Sequence, residues 1–159
     1  MNIGIILDPY GEKEPAGLGR ALLDLVRSMI AASPEDEFLI FAKGMAPSRP
    51  DFPGSNWSFH PLGRGLFWRD RGLRRVPRAD AYLYYTPMMP IFVRYGRSIV
   101  IALDFAYASI PAEDFTGYLG KYFLRMRHGF ALRAADKIIA ISEATRKDAI
   151  RLFGISSEK

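Results

Sequence analysis

The chain of 159 residues has no cysteine, so it forms no disulfide, offers no thiolate nucleophile and has no cysteine metal site. That fits a reducing cytoplasm. Histidine is almost as scarce, and the two present, His60 and His128, form no cluster suited to metal or triad chemistry. No uninterrupted apolar run approaches the roughly twenty residues that a membrane-spanning helix requires. Met1 leads straight into an apolar strand rather than a basic leader with a small-residue cleavage site, so no signal peptide is expected. Acidic residues are outnumbered, 17 against 22 Lys and Arg, and the net charge of +5 favours anionic partners without choosing among phosphate, nucleic acid and lipid.

What is present is ordinary for a globular protein: 49% apolar and 25% charged residues. The length suits one compact domain, and a second full domain does not fit.

The most organised stretch runs from Ala134 to Phe153. Ile138, Ile139, Ala140 and Ile141 make an apolar run that reads as a strand buried on both faces. Ser142 follows at once, placed to cap a helix beginning at Glu143, whose charge suits the positive end of the helix dipole. Ile150 and Phe153 give that helix an inward stripe, and Gly154 stops it. A strand feeding a capped helix is the unit of a parallel α/β sheet, and ligands of such sheets bind beyond the carboxyl ends of the strands.

The rest of the chain repeats this pattern. Asn2 to Asp8 reads as the first strand. Asp8, Pro9, Tyr10 and Gly11 then make a turn, and Glu12 to Pro15 continue a polar loop. Gly17, Leu18, Gly19 and Arg20 open a helix with Leu18, Leu22, Leu25, Val26 and Met29 as its buried stripe. Glycines at a helix start let backbone N–H groups approach a phosphate; they also serve a turn and a tight helix entry. A dinucleotide fingerprint is rejected, because the first glycine comes too far after the strand and Leu22 stands where the third glycine belongs. Further strands are read at Glu37 to Ala42, Trp57 to Leu62, Asp80 to Thr86 and Ser98 to Leu103. Tyr85 and Thr86, at a strand end, are candidates for a cleft rim. Asp104 ends a buried strand, where a carboxylate either faces the ligand crevice or caps a local turn.

Two segments stand apart. From Gly63 to Arg78 there are Arg64, Arg69, Arg71, Arg74, Arg75 and Arg78 against only Asp70. A helix over Leu66 to Val76 would put Leu66, Leu73 and Val76 on one face and Phe67, Arg71, Arg74 and Arg75 on the other. That second face reads as a solvated face or as a surface for an anionic bilayer, and no nucleic-acid module accompanies it. From Tyr118 to Ala134, Leu119, Tyr122, Phe123, Met126 and Phe130 recur at helical spacing and read as core, with Lys121, Arg125 and Arg127 on the outer side.

The run ADKIIAISEATRKDAIRLFGI, with the glycine loop near the start, resembles the N-terminal domain of the glycosyltransferase family 4 enzymes, also called glycosyltransferase group 1. The resemblance implies a Rossmann-like α/β domain with an open, mainly parallel sheet and helices on both faces, one half of a GT-B architecture. It implies retaining transfer of a hexose from a nucleotide sugar to a hydroxyl acceptor, glycan or lipid-linked, with no metal or other cofactor. Gly17, Gly19 and Arg20 would face the donor's diphosphate, Asp104 the sugar or acceptor, and Tyr85, Thr86, Ser142 and Glu143 the rim of the cleft. The nucleotide is gripped mainly by a second, C-terminal domain, which is absent from this chain, so the chain alone is expected to be inactive. A cytoplasmic protein follows, able to meet the inner face of a membrane through its basic segment. Many members carry His-Asp where this chain has Leu103 and Asp104, and leucine makes no hydrogen bond to a sugar. That departure supports the rival expectation, a non-catalytic binding or scaffold domain. A nucleotide-binding Rossmann domain is the third.

Overall fold

Ile5, Ile6 and Leu7 are almost wholly buried, and the strand that carries them, β1 (Asn2–Leu7), lies between two parallel neighbours. The computed structural model describes residues 1–8, 17–44, 49–108 and 115–159. The turn and polar loop expected over 9–16 lie outside those residues.

On one side β1 pairs with β2 (Glu37–Ala42), which pairs with β3 (Trp57–Pro61); on the other it pairs with β4 (Ala81–Tyr84). The last two strands, β5 (Arg97–Ala102) and β6 (Lys137–Ala140), pair with each other, and all these pairings are parallel. The six-stranded sheet has the order β3-β2-β1-β4-β5-β6. Parallel strands need crossovers: α1 (Leu18–Ala32) lies between β1 and β2, α2 (Trp68–Leu73) between β3 and β4, and α3 (Phe115–Ala134) between β5 and β6, with α4 (Glu143–Phe153) after β6, while among the described residues no helix stands between β2 and β3 or between β4 and β5. Contacts divide the chain into two compact units, Met1–Tyr85 with Met89–Ser98, and Thr86–Met88 with Ile99–Lys159.

In the first unit the core includes the apolar run of β2, which lies between β1 and β3, with Phe38, Ile40 and Phe41 fully buried. Helix α1 turns Gly19, Leu22, Val26 and Ile30 inward. Leu18, read from the sequence as part of that stripe, is exposed at the first turn, although Leu22, Val26 and Ile30 continue its own i, i+4 row inward. At its far end the helix stops at Ser33, and Asn56 Nδ2 donates to the carbonyls of Ile30, Ser33 and Asp36. That amide ties the end of α1 to the beginning of β2, so the glycine-bearing start of the fifteen-residue helix lies about 22 Å away, toward the carboxyl edge of the strands.

The basic segment folds differently from the expected helix over 66–76. Only Trp68–Leu73 is helical; Leu66, expected on the buried face, is 73% exposed, and Phe67 sits at φ 59°, half-buried against Phe92 with ring centroids 5.4 Å apart. Leu73 is buried as the spacing predicts, and Trp68 supplies the anchoring that periodicity assigned to Leu66.

In the second unit β6 is not buried on both faces. Among the described residues it stands at the end of the strand order, paired with β5, and Ile139 and Ile141 are 50% and 61% exposed. Helix α4 begins and ends as its residues dictate. Ser142 is extended and its Oγ accepts from the Thr145 N–H at 3.1 Å; Gly154 closes the last turn at φ 64°. Ser142→Ala is expected to cost about 1 kcal/mol of stability, read as a shift in the denaturant midpoint with unchanged slope. A loss near zero would mean that Thr145 alone holds this turn.

The largest difference lies in α3. Leu119, Tyr122, Phe123, Met126 and Phe130, read as core, all face solvent. The packed face is the smaller set His128, Gly129, Ala131 and Leu132. At Gly129 a Cβ would stand 3.2 Å from the Arg133 guanidinium and 3.3 Å from the Phe153 ring of α4, a tight fit that a neighbouring side chain would have to yield to. Both faces of α3 are apolar, and spacing alone selects the larger one.

Candidate functional site

Asp8 stands at the carboxyl end of β1 and forms an ion pair with Arg69 of α2, whose guanidinium also lies 4.2 Å from the centre of the Trp68 ring. Beside it Asp70, 5% exposed, accepts from the Phe92 N–H at 2.6 Å. A buried carboxylate needs such donors to offset its lost hydration. These two residues lash α2 to the end of β1 and to the segment after β4. Tyr84 is buried in the same region and its hydroxyl is pushed well up by burial, with neighbouring Tyr82 adding to the shift. Tyr85 is also buried and raised by burial, so it offers a cleft little beyond its edge; Thr86 is half-exposed and its carbonyl accepts from Met88 at 2.6 Å.

Gly17 has φ 53° with no neighbour where a Cβ would stand, and its carbonyl accepts from the Ala21 N–H at 3.1 Å. Gly19 is buried under the first turn and Arg20 is exposed. Gly17, Gly19 and Arg20 thus lie in the first unit with Asp8, Arg69 and Tyr85. The basic segment belongs to that unit too: Arg64, Arg71 and Arg75 line a cleft of about 480 Å³ with Leu62, Gly63 and Trp68. Arg74 is exposed. Phe67 does not share the arginine face, since its ring packs on Phe92.

In the second unit Asp104, Ser142 and Glu143 come together. β5 and β6 are in register with Ala102 opposite Ala140, so the residues that follow emerge at one edge. Thr145 Oγ1 donates to the Leu103 carbonyl at 3.1 Å, fastening the start of α4 to the end of β5. Leu103 itself is buried. Asp104 is exposed, and its Oδ1 accepts from the Ala106 N–H at 3.0 Å, the local turn cap that the sequence left as one of two readings. Glu143 pairs with Arg146 on the exposed first turn of α4.

A Tyr–His pair stands beside Asp104 that sequence reasoning missed. Tyr107, in the short 3-10 turn Ala106–Ala108, shares a hydrogen bond of 3.1 Å with His128 Nδ1, and the rings meet edge-on at 5.2 Å. Burial pushes the Tyr107 hydroxyl up to about 12. Burial pushes His128 down to about 4; Asp104 opposes that shift and Arg127 adds to it. A histidine and a tyrosine twenty-one residues apart carry no signal until α3 packs. Only the aromatic residue just past a strand-end carboxylate hints at it. Among the described residues, no group of three His, Asp or Glu is placed to hold a metal.

The His128 shift has a definite sign. The folded value lies below the unfolded 6.5, so the neutral ring's contribution is complete above about pH 6.5 and disappears as pH falls toward 4. We expect the chain to lose about 2 kcal/mol across that window from this residue. His128→Asn, which keeps an acceptor for Tyr107 and does not titrate, should flatten that part of a denaturation-versus-pH curve. An unchanged slope would assign the acid sensitivity elsewhere.

Fold and strand ends together define an open parallel α/β domain of the Rossmann-like class. Within that class the chain matches no family model, and comparison with curated proteins finds no match.

Proposed function

We propose that the chain is the acceptor-side half of a retaining glycosyltransferase of GT-B architecture, moving a hexose from a nucleotide sugar to a hydroxyl acceptor that is a glycan or is lipid-linked. The observation that carries this reading is the second unit's carboxyl edge, where Asp104 and the Ser142-capped start of α4 are fastened together through Thr145 and Leu103. The resemblance of residues 135–155 to glycosyltransferase family 4 supplies the class of reaction.

In this reading Gly17, Gly19 and Arg20 present backbone N–H groups and a cation to the donor's diphosphate. Asp104 accepts from a sugar or acceptor hydroxyl through the oxygen not used by Ala106. Ser142 and Glu143 shape the edge rather than react, since one caps α4 and the other pairs with Arg146. Charge developing on a leaving diphosphate needs donors on both walls of a cleft, and this chain is one wall. A nucleotide-sugar domain, and no metal, completes the site.

Transfer is therefore expected at background for this chain alone with a panel of nucleotide sugars, and measurable for a polypeptide that adds the second domain. In that longer protein Asp104→Ala and Arg20→Ala should each lower turnover about a hundredfold or more. Sustained transfer by the chain alone, or full activity in both variants, would sink the reading.

A second reading, a non-catalytic scaffold with this fold, is favoured by Leu103, which puts a buried apolar side chain at the end of β5. A scaffold shows no transfer in any form. Calorimetry with free nucleotides separates a third possibility, because tight binding by this chain alone belongs to a nucleotide-binding domain.

A further inference from the structure

The cleft of about 480 Å³ in the first unit opens where β2 and β3 end, and its floor is tied together by backbone. Gly44 and Gly63 exchange hydrogen bonds of 2.8 Å and 3.0 Å, and the Leu62 N–H donates to the Ala42 carbonyl at 2.9 Å. Helix α2 lies directly on this floor. A Cβ at Gly72 would stand 2.5 Å from Leu62 Cβ and 2.6 Å from the Leu62 carbonyl oxygen, so a glycine is what lets the helix come this close. Leu62 and Trp68, both buried, back the cleft with apolar surface.

Three arginines line it: Arg64 from the loop after β3, Arg71 on α2 and Arg75 just beyond α2. Among the described residues none of the three forms an ion pair. Asp70, the one carboxylate of residues 61–76, accepts from the Phe92 N–H at 2.6 Å, and Asp8 pairs with Arg69. Three like charges around one concavity repel one another, and an anion placed among them removes that repulsion.

We propose that this cleft binds a small phosphate monoester, free in solution, with its phosphate among Arg64, Arg71 and Arg75 and its organic part toward Leu62 and Trp68. A monoester suits the site better than a diester, because it brings up to two charges and three acceptor oxygens to the guanidinium forks. The volume is that of a small-molecule site. Its position, beyond the carboxyl ends of two parallel strands, is where open α/β sheets hold ligands. The cleft shares no lining residue with the loop of Gly17, Gly19 and Arg20, and the proposal does not rest on the glycosyltransferase reading, because binding is measured without turnover.

The test is isothermal calorimetry of the whole chain with glucose 6-phosphate and with fructose 1,6-bisphosphate. Both are expected to bind saturably and more weakly as salt rises, and glucose is expected to give no heat. Arg64→Ala and Arg71→Ala, each checked for an unchanged unfolding midpoint, should weaken binding about tenfold or more. Arg74→Ala, which removes one charge from the same segment outside the cleft, should stay within about twofold of the parent. Since a lipid headgroup can carry the same phosphate, co-sedimentation with vesicles containing phosphatidic acid separates the two sources. Three results would overturn the proposal: no binding of either ester at millimolar concentration; equal weakening by Arg74→Ala and by the cleft variants, which would mark only general attraction to a basic surface; or sedimentation with phosphatidic acid vesicles that Arg64→Ala abolishes while neither free ester binds.

Discussion

Gly96→Ala is expected to destabilise the chain by about 4 kcal/mol, among the largest effects of any single added methyl group. Gly96 precedes β5 at φ 57°, and a Cβ there would stand 2.4 Å from the Asp80 carbonyl oxygen and 2.8 Å from that of Ala79. The Asp80 oxygen is held in place. The Asp80 carbonyl accepts from Arg97 at 2.8 Å, the Asp80 N–H donates to the Asn2 carbonyl at 2.8 Å, and Asp80 Oδ2 accepts from the Asn2 N–H at 2.7 Å. Moving this backbone would disturb the entry to β1, β4 and β5 together. Gly154→Ala is the matched control: φ is 64° but no atom lies within 4 Å, so only the left-handed backbone strain of about 1 kcal/mol applies. Denaturant midpoints of the two variants measure the difference. Equal losses would mean that the Asp80 turn yields to the methyl group.

Tyr82→Ala should cost about 4 kcal/mol, for a different reason. The ring is 1% exposed and lies between Phe41 and Tyr84, with centroids 6.2 Å and 6.4 Å away. Its hydroxyl accepts from the Ala79 N–H at 3.0 Å. Truncation leaves a cavity and also strips a buried donor of its partner. Tyr82→Phe keeps the ring and loses only the acceptor, and should cost about 1 to 2 kcal/mol. If both variants lose the same amount in chemical denaturation, the hydroxyl rather than the ring carries the stability.

Both positions show how unevenly the chain could be read in advance. Tyr82 lies in a strand recognisable from its apolar neighbours, and its burial follows from the alternation of strands and helices. Gly96 looks like any turn glycine, since what makes it irreplaceable is a carbonyl sixteen residues earlier. The same contrast separates Ser142 from His128. Ser142 caps the helix that begins beside it, an interaction within three residues. His128 meets Tyr107 only because α3 lays its smaller face inward. Asp104 falls between these cases: its place at a strand end was legible, and its local bond to Ala106 was one of the two roles foreseen.

Alternation of apolar runs with capped helices specifies a parallel α/β sheet, because backbone hydrogen bonding and the burial of short β-branched runs leave few other solutions. Those are interactions between near neighbours, so residue order contains them. Which stripe of a helix with two apolar faces turns inward, whether an apolar strand lies at an edge, and which of several arginines meets Asp8 are settled only when distant segments compete for the same contacts. In α3 the face with Gly129, Ala131 and Leu132 packs inward, β6 stands at the end of the strand order, and among the described arginines of the basic segment it is Arg69 that pairs with Asp8 at the end of β1.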